Sequence, residues 1–359
     1  MIEKIFNKIW YTKKSENYFL FSRLISLSLL PITFVYYVII SLRKYAYNFN
    51  LLKTYHFKIP IIIVGNYTVG GSGKTPFCIW LANRLTDKGL KVGIVSSGYK
   101  ASSKHPQLVN NKSNPYNVGD EAVMIAQLTK ANVVSCGNRV EATKVLMNKF
   151  DNDIIIHDDG LQHHALARDY EIELIDPHRL YGNNFLLPSG PLRELKNRIN
   201  KPNVIISNHN DPITMMGSQL ASVSQKFVDD IEDSYFMYSQ CQQVQNSVTK
   251  EIKNINSFHE KKIHLVIGVA NINRILRRLR VEAIGIGEFI LHEYGDHYLY
   301  QGNECQFDDD IPVFLTMKDY VKLKSSNNKN VWVMHHIVMP DENLVERLDK
   351  DLNHIISYE

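Results

Sequence analysis

The sequence has few cysteines, and they are not arranged as a structural site. Its 359 residues include four, Cys78, Cys136, Cys241 and Cys305, which lie far apart and form no Cys-x-x-Cys pair. The pattern therefore predicts neither a disulfide framework nor a zinc site, and a reducing cytosolic setting fits best. No small-residue cleavage site follows the apolar N-terminal stretch, which argues against a removed secretory peptide.

An excess of charge of one sign is also lacking. Lys+Arg 41 against Asp+Glu 37 gives a net charge of only +4. The sequence has no basic block and no alternation of basic and aromatic residues of the kind that follows a phosphate backbone. We therefore predict no nucleic-acid partner. The length of the chain favours two α/β lobes over a single large one.

An uncharged apolar stretch runs from Leu24 to Leu42 and is long enough to cross a bilayer as a helix. Pro31 lies inside it, and basic residues flank it on both sides. Small hydroxyl-bearing residues also dilute it: Ser26, Ser28, Thr33 and Ser41. These features favour a helix or a kinked helix pair that lies in one leaflet, and they leave a true span or a buried core helix as alternatives.

Beyond Pro60, short apolar runs alternate with helical patterns. The β-branched run at residues 61–64, closed by Gly65, predicts a central strand of a parallel sheet. Further strands are predicted at 92–96 and 153–156, and helices at 75–88 and 122–129. This alternation is typical of a doubly wound α/β sheet, which binds ligands at the carboxyl ends of its strands.

A phosphate-binding loop is predicted between the first of these strands and the helix that follows it. The segment reads Thr68-Val69-Gly70-Gly71-Ser72-Gly73-Lys74-Thr75, with Thr68 at the position where a strict Walker A motif has glycine. Small residues let backbone N–H groups turn inward around phosphates at a helix N-terminus. Lys74 would reach the β and γ phosphates, and Thr75 would ligate Mg²⁺. The loop thus predicts ATP and Mg²⁺ as cofactors.

The acidic half of such a site is predicted at the end of a neighbouring strand. Asp158 and Asp159 directly follow the apolar run 154–156 and His157. One carboxylate can hold Mg²⁺ directly or through water, and the other can orient the first or a reactant. Two adjacent acids are often only a turn, but the apolar strand and the upstream phosphate loop favour a metal site.

The sequence resembles the tetraacyldisaccharide 4'-kinases through motifs spread over most of the chain. Their occurrence together and in the family's order makes the resemblance specific. The matching strings are residues 64–76 (VGNYTVGGSGKTP), 118–121 (VGDE), 138–142 (NRVEA), 158–163 (DDGLQH), 187–194 (LPSGPLRE), 296–297 (DH) and 316–319 (TMKD).

The resemblance implies a P-loop kinase that transfers the γ-phosphoryl group of ATP to the 4'-hydroxyl of a tetraacyldisaccharide 1-phosphate, a step of lipid A biosynthesis. It also implies the cytoplasmic face of a bacterial inner membrane, with the protein peripheral or monotopic, and it implies no obligatory protein partner. It assigns roles to residues 120, 297, 158, 159, 139, 193 and 194. These are Asp120 as catalytic base with His297 as its partner, Asp158 and Asp159 as metal-site acids, and Arg139, Arg193 and Glu194 as active-site support.

The predicted organisation has four parts. Residues 1–50 form an N-terminal membrane-associated helical segment, 51–215 the P-loop kinase domain, 216–262 a polar, weakly patterned linker, and 263–359 a smaller C-terminal α/β lobe. Within that lobe, strands are predicted at 264–267, 311–316 and 331–334, and helices at 272–280 and 342–356. The last helix could pack on either lobe.

At several positions a purely structural role stays open as an alternative. Asp120 could be only a helix N-cap, Arg139 a solvated surface charge, and His297 a turn residue. The family pattern is also broken at Ser97, where arginine is expected and for which Lys100 could substitute, and at Met317, where glutamate is expected.

Two rival functions also stay open. One is a membrane-targeted positioning ATPase, a class whose signature lysine is replaced here by Val69. The other is a soluble small-molecule kinase whose apolar N-terminal segment is merely part of the core.

Overall fold

The computed structural model describes residues 2–12, 15–195, 202–209, 234–268, 272–283, 285–296, 298–323 and 328–357. Its helices are α1 Ile2–Tyr11, α2 Phe19–Ser28, α3 Leu30–Asn48, α4 Lys74–Asp87, α5 Pro115–Val118, α6 Asp120–Leu128, α7 Arg139–Lys149, α8 Ile272–Glu282, α9 Met317–Tyr320 and α10 Glu342–Ser357. Its strands are β1 Ile61–Gly65, β2 Val92–Ser96, β3 Gln107–Val109, β4 Asn132–Ser135, β5 Ile154–Asp158, β6 Tyr170–Ile175, β7 Val204–His209, β8 Ser234–Asn246, β9 Ile252–Asn254, β10 Lys262–Ile267, β11 Glu288–Glu293, β12 Val313–Thr316 and β13 Val331–Pro340.

One continuous sheet runs through the described part of the chain. Its strand order is β11-β10-β12-β13-β8-β7-β6-β1-β5-β2-β4-β3, with β9 paired to β8. All pairings are parallel except β3 with β4, β8 with β9, and β13 with β8. Strand β1 is buried along its whole length between β5 and β6, as its β-branched sequence predicts. The predicted α/β fold on a large parallel sheet is confirmed.

Strand β8 lies inside the polar stretch that the sequence analysis reads as a linker. It has 13 residues and joins the two halves of the sheet, because it pairs with β7 on one side and β13 on the other. Several of its buried positions carry polar residues, such as Ser239 and Asn246, which are 1% and 3% exposed. Their hydrogen bonds replace apolar burial, so the strand has no strong hydrophobic alternation and sequence reasoning missed it. Residues 216–233 of the predicted linker lie outside the described residues.

The C-terminal helix α10 packs on the first lobe. Leu344, Leu348 and Leu352 follow one another at a spacing of one helical turn and are buried in a core shared with Phe77 and Leu81 of α4. Two ion pairs reinforce the contact: Asp349 accepts hydrogen bonds from Arg84 at 2.9 and 2.6 Å, and its carboxylate lies 2.7 Å from Lys88 Nζ. The helix that the sequence could assign to neither lobe therefore completes the core around α4.

The N-terminal apolar segment forms a bent helix pair. Helices α2 and α3 meet at Leu29, and Pro31 occupies the first turn of α3, where its missing N–H has no helical partner to lose. Within the described residues no single helix has both the length and the apolar character to cross a membrane, whereas α2 and α3, bent by 55°, meet that criterion together.

The packing of α10 generates a stability prediction. Leu348 is 1% exposed, so Leu348→Ala removes buried methyl groups and leaves a cavity. The free energy of unfolding, measured by urea denaturation in detergent, should fall by about 2 to 5 kcal/mol. Glu346→Ala, on the exposed side of the same helix, should change it by less than about 0.5 kcal/mol. If Leu348→Ala lowered the free energy of unfolding as little as Glu346→Ala, α10 would contribute little to the core.

Candidate active site

The phosphate loop lies between β1 and α4, and two of its three glycines adopt backbone conformations that favour glycine. Gly70 and Gly73 have φ of 118° and 91°, the left-handed region that side chains disfavour. A Cβ on Gly73 would lie 2.1 Å from the Nδ2 atom of Asn208. That amide donates to the carbonyl of Ser72 at 2.8 Å, and Ser239 donates to the Asn208 side-chain oxygen at 3.0 Å. Strands β7 and β8 thus support the loop from below.

Lys74 and Thr75 begin helix α4 and face the acids at the end of β5. The Nζ atom of Lys74 donates to Asn66 Oδ1 at 3.1 Å and lies 3.6 Å from Asp159 Oδ1. The hydroxyl of Thr75 donates to Asp158 Oδ2 at 2.8 Å. Because β1 and β5 are adjacent and parallel, the loop after one strand and the acids after the other meet at the same edge of the sheet.

The two neighbouring carboxylates have opposite electrostatic environments. Burial, together with the negative charges of Glu121 and Asp159, raises the pKa of Asp158 to about 6. Burial alone would also raise the pKa of Asp159, but Lys74, Arg193 and Arg139 outweigh it and hold that pKa at about 2. At neutral pH both groups are ionised, and Asp159 is much the weaker base.

The oxygen donors at this edge suit Mg²⁺. This hard cation prefers carboxylate, hydroxyl, water and phosphate oxygens, and it usually takes only one or two protein carboxylates in a nucleotide site. Thr75, Asp158 and Asp159 supply such a set. Among the described residues no group of three or more His, Cys, Asp or Glu side chains could hold a metal ion alone.

Arg193 holds Asp159 in place. Its NH1 atom lies 3.0 Å from both carboxylate oxygens of Asp159 and donates to Gln162 Oε1 at 3.2 Å. Glu194, the next residue, does not line the cleft, and its carboxylate lies 2.8 Å from His164 Nε2. The two neighbours predicted as active-site support thus contact different groups.

Arg139 is buried at 2% exposure, so the alternative of a solvated surface charge is wrong. Its guanidinium donates to the carbonyl oxygens of Val95, Asp158 and Asp159, at 3.2 Å for Val95 and for Asp159. The side chain therefore ties the acidic turn to the end of β2, and it places a positive charge behind both carboxylates.

Asp120 is the first residue of α6, so its alternative role as the N-cap of that helix is wrong. Gly119 occupies the cap position, and Asp120 Oδ1 accepts from the backbone N–H of Glu121 at 3.0 Å. The ammonium of Lys318, from α9 in the C-terminal half, lies 4.0 Å from Asp120, 3.5 Å from Glu121 and 3.7 Å from Asp296. His297 lies outside the described residues.

Lys318 thus connects the first lobe to the C-terminal lobe beside the predicted base. Burial alone would lower the pKa of its ammonium, but Glu121, Asp120 and Asp296 outweigh burial and raise that pKa. Lys318 stays charged among these acids. Lys318 belongs to the motif at residues 316–319, but the sequence alone gives it no role, because most of its partners are remote in the chain.

A cleft of about 1700 Å³ unites these groups. It is lined by residues 69–75, Arg139, Asp158, Asp159 and Arg193, and from the C-terminal half by Asp296, residues 316–318 and residues 334–338 of β13. Thr68, Asp120 and Glu194 are not among the residues that line it. Lys100 also lines the cleft, with its ammonium over the ring of Tyr99 at 5.6 Å. The arrangement can hold a nucleoside triphosphate on one side and a phosphoryl acceptor on the other.

Some residues of the site carry no local signal in the sequence. Asn208 supports the phosphate loop from a strand more than a hundred residues away, and Gln162 ties Arg193 to the carbonyl of Asn66. Glu121 is adjacent to a predicted residue, and only the fold shows that its charge faces Asp158.

Comparison with known proteins agrees with this geometry. Residues 25–353 match the family model described as tetraacyldisaccharide-1-P 4'-kinase, LpxK. The chain is 36% identical over 337 residues to the tetraacyldisaccharide 4'-kinase of Coxiella burnetii (strain RSA 331 / Henzerling II), covering 93% of this chain and 91% of that protein. It is 36% identical over 330 residues to the enzyme of the same name from Ruthia magnifica subsp. Calyptogena magnifica, covering 92% and 98%.

A solved structure shares the fold. The crystal structure of LpxK from Aquifex aeolicus, described as an "apo" form in complex with ATP, matches with a TM-score of 0.76 at 28% sequence identity. The match covers 92% of this chain and 99% of that one. With the family model spanning most of the sequence and the loop, acids and cleft in place, this chain belongs to the tetraacyldisaccharide-1-P 4'-kinase family, whose members are ATP-dependent kinases of lipid A biosynthesis.

Proposed function

We propose that this protein transfers the γ-phosphoryl group of ATP to the 4'-hydroxyl of a tetraacyldisaccharide 1-phosphate in lipid A biosynthesis. The observation that carries the proposal is the contact of Thr75 with Asp158 and of Lys74 with Asp159 at the floor of a cleft lined by both lobes. Membership of the kinase family over residues 25–353 supports the choice of acceptor.

The phosphate side of the reaction is a matter of charge and position. The backbone N–H groups of residues 70–75 and the N-terminus of α4 attract the phosphates, and Lys74 adds a point charge at the β and γ groups. Thr75, Asp158 and Asp159 would hold Mg²⁺. When bound, the ion neutralises phosphate charge and aligns the γ group. Arg193 keeps Asp159 oriented and ionised.

The acceptor side needs a group that takes the proton of the attacking hydroxyl. Asp159 is a poor candidate, because a carboxylate with a pKa of about 2 has little affinity for a proton. Asp158 already accepts from Thr75. The resemblance to the tetraacyldisaccharide 4'-kinases makes Asp120 the proposed base, with His297 as its partner, and Asp120 lies 4.0 Å from the ammonium of Lys318.

The apolar surface of α2 and α3 supports a place at a membrane. Leu20, Leu24, Phe34 and Ile39 are 75%, 66%, 66% and 58% exposed, far more than such side chains favour in water. A lipid acceptor would reach the cleft from the same boundary. We propose that the protein lies on the cytoplasmic face of a bacterial inner membrane, with α2 and α3 in one leaflet.

The first prediction concerns the phosphate loop. Lys74→Ala should lower lipid phosphorylation by roughly 10²-fold to 10³-fold, because a charge that stabilises the transferring group is lost. Purified protein is incubated with γ-labelled ATP and a tetraacyldisaccharide 1-phosphate, and labelled lipid is counted. Lys149→Ala, an exposed lysine at the end of α7, is the matched control and should retain activity. A positioning ATPase or a soluble small-molecule kinase would leave the lipid unlabelled even with the wild-type chain.

The second prediction concerns the base. Asp120→Ala and Asp120→Asn should lower kcat by roughly 10²-fold to 10⁴-fold, the range for a positioned general base. The KM for ATP should change little, since residues 70–75 bind the nucleotide. Asp310→Ala removes an exposed carboxylate in the C-terminal lobe and serves as the control. A kcat within a few-fold of wild type for both Asp120 variants would rule out Asp120 as the base.

The third prediction concerns membrane binding. Leu24→Asp together with Phe34→Asp should move the protein from the membrane fraction toward the soluble fraction. Each lost apolar side chain weakens partition by about 1.5 kcal/mol or more, roughly tenfold. Val248→Asp makes the same kind of change on the C-terminal lobe, where the residue is 40% exposed, and should leave partition unaltered. Unchanged partition of the double variant would place the anchor elsewhere.

A further inference from the structure

The N-terminal helix α3 is joined to the catalytic lobe by a buried pair of hydroxyl groups. Thr33 is 7% exposed, whereas Phe34, the next residue, is 66% exposed and points away from the protein. The Thr33 hydroxyl donates to Ser189 Oγ at 2.7 Å, and the backbone N–H of Ser189 donates to Thr33 Oγ1 at 3.1 Å. Ser189 is fully buried. Thr33 thus uses both its donor and its acceptor on one residue 156 positions away.

Neighbouring contacts repeat the pattern along the same segment. Asn183 donates to the hydroxyl of Ser26, in α2, at 3.1 Å and to the carbonyl of Ser189 at 2.8 Å. The indole N–H of Trp10, in α1, donates to the carbonyl of Pro188 at 3.0 Å. All three N-terminal helices therefore hydrogen-bond to residues 183–193 or to groups that these residues hold.

The far end of that segment enters the phosphate site. The hydroxyl of Tyr36 donates to the backbone carbonyl of Arg193 at 2.9 Å, one helical turn after Thr33. The backbone N–H of Arg193 donates to the carbonyl of Tyr67 at 2.7 Å, and the N–H of Val69 donates to the carbonyl of Pro191 at 2.9 Å. The segment therefore runs beside the start of the phosphate loop, and the guanidinium of Arg193 reaches Asp159.

We propose that Thr33 and Tyr36 are positioning residues for the phosphoryl-transfer site: through residues 189–193 they fix the backbone of Arg193, and through its guanidinium they fix Asp159. The inference rests on the proposed function, because it assumes that Arg193 and Asp159 take part in phosphoryl transfer. It adds a role for α3 that a membrane anchor does not need.

The chemistry of the helix supports this role. Burying a hydroxyl group is destabilising unless the group is hydrogen-bonded. A buried hydroxyl in an otherwise apolar helix therefore needs a partner at hydrogen-bonding distance. Ser26 and Thr33 are buried, and their hydroxyl groups have hydrogen-bond partners in the catalytic lobe. Ser28, by contrast, is exposed and donates to Ile25 within its own helix. Phe34, Ile39 and Leu42 of α3 are exposed, whereas Thr33 and Tyr36 face the segment that carries Arg193.

A consequence follows for the reaction. A shift of about 1 Å in a positioning group can lower a rate by roughly 10²-fold, even when that group lies away from the chemistry. Displacement of α3 from the catalytic lobe would shift the backbone of residues 189–193. The site is therefore in its working geometry only while α3 is seated.

The test compares variants that remove single contacts from the full-length chain. Thr33→Val keeps the side-chain shape but removes the hydroxyl, Thr33→Ser keeps the hydroxyl, and Tyr36→Phe keeps the ring. Ser28→Ala and Tyr37→Phe are matched controls on α2 and α3, since both residues are exposed and neither hydroxyl bonds to the catalytic lobe. Lipid phosphorylation, the KM for ATP, membrane partition and the melting temperature are measured for each.

We expect kcat to fall about 10-fold to 100-fold in the Thr33→Val, Tyr36→Phe double variant, the usual loss when an outer-shell partner is removed. Thr33→Ser and both controls should stay near wild type, and membrane partition should not change. In an Arg193→Ala background the double variant should add no further loss, because its target is already absent.

Two results would overturn the inference while leaving the proposed function intact. One is a wild-type kcat in a double variant that melts normally. The other is an undiminished loss in the Arg193→Ala background, which would show that the helix acts by another route. If Thr33→Val fails to fold, Tyr36→Phe alone and in the Arg193→Ala background gives the same decision. An absence of labelled lipid with the wild-type chain would instead reject the proposed function.

Discussion

The rest of the site depends on one constraint, which is the placement of two adjacent carboxylates, one buried and one partly exposed, at the end of β5. Asp158 is 3% exposed, and the Asp159 side chain is 28% exposed. Two negative charges this close are unfavourable unless positive charge and donors surround them. Lys74, Arg193 and Arg139 supply these from three different parts of the chain. The phosphate loop, the segment before residue 195 and the start of α7 therefore converge on the acidic turn.

The surrounding charges treat the two acids differently, and this difference organises the chemistry. Asp159 is compensated by Lys74 and Arg193, so it is strongly acidic and stays a fixed anion. Asp158 is more deeply buried and meets the charge of Glu121, so its ionised form is destabilised. A cation placed beside Asp158 would relieve that strain.

The predictable part of the site is the part that is local in sequence. The phosphate loop and the acidic turn each lie within a few residues, so strand, turn and helix signals place them together. Asn208 could not be predicted, because its role depends on β7 and β8 lying beneath the loop, and β8 hides its pattern behind buried serines and asparagines. The contact of Tyr36 with Arg193 joins residues 157 positions apart. Neither residue type signals it, since a tyrosine in an apolar helix reads simply as part of that helix.

The return of α10 to the first lobe has a consequence for how the chain is made. Domains generally fold as units during synthesis, in order from the N-terminus. Here Leu344, Leu348 and Leu352 close the core around α4, so the nucleotide-binding lobe is completed only by residues near the end of the chain. Until these leucines are made, α4 packs against β1, β2, β5 and α6 but lacks its contacts with α10. The nucleotide lobe therefore gains its contacts with α10 only after the C-terminal lobe has been made.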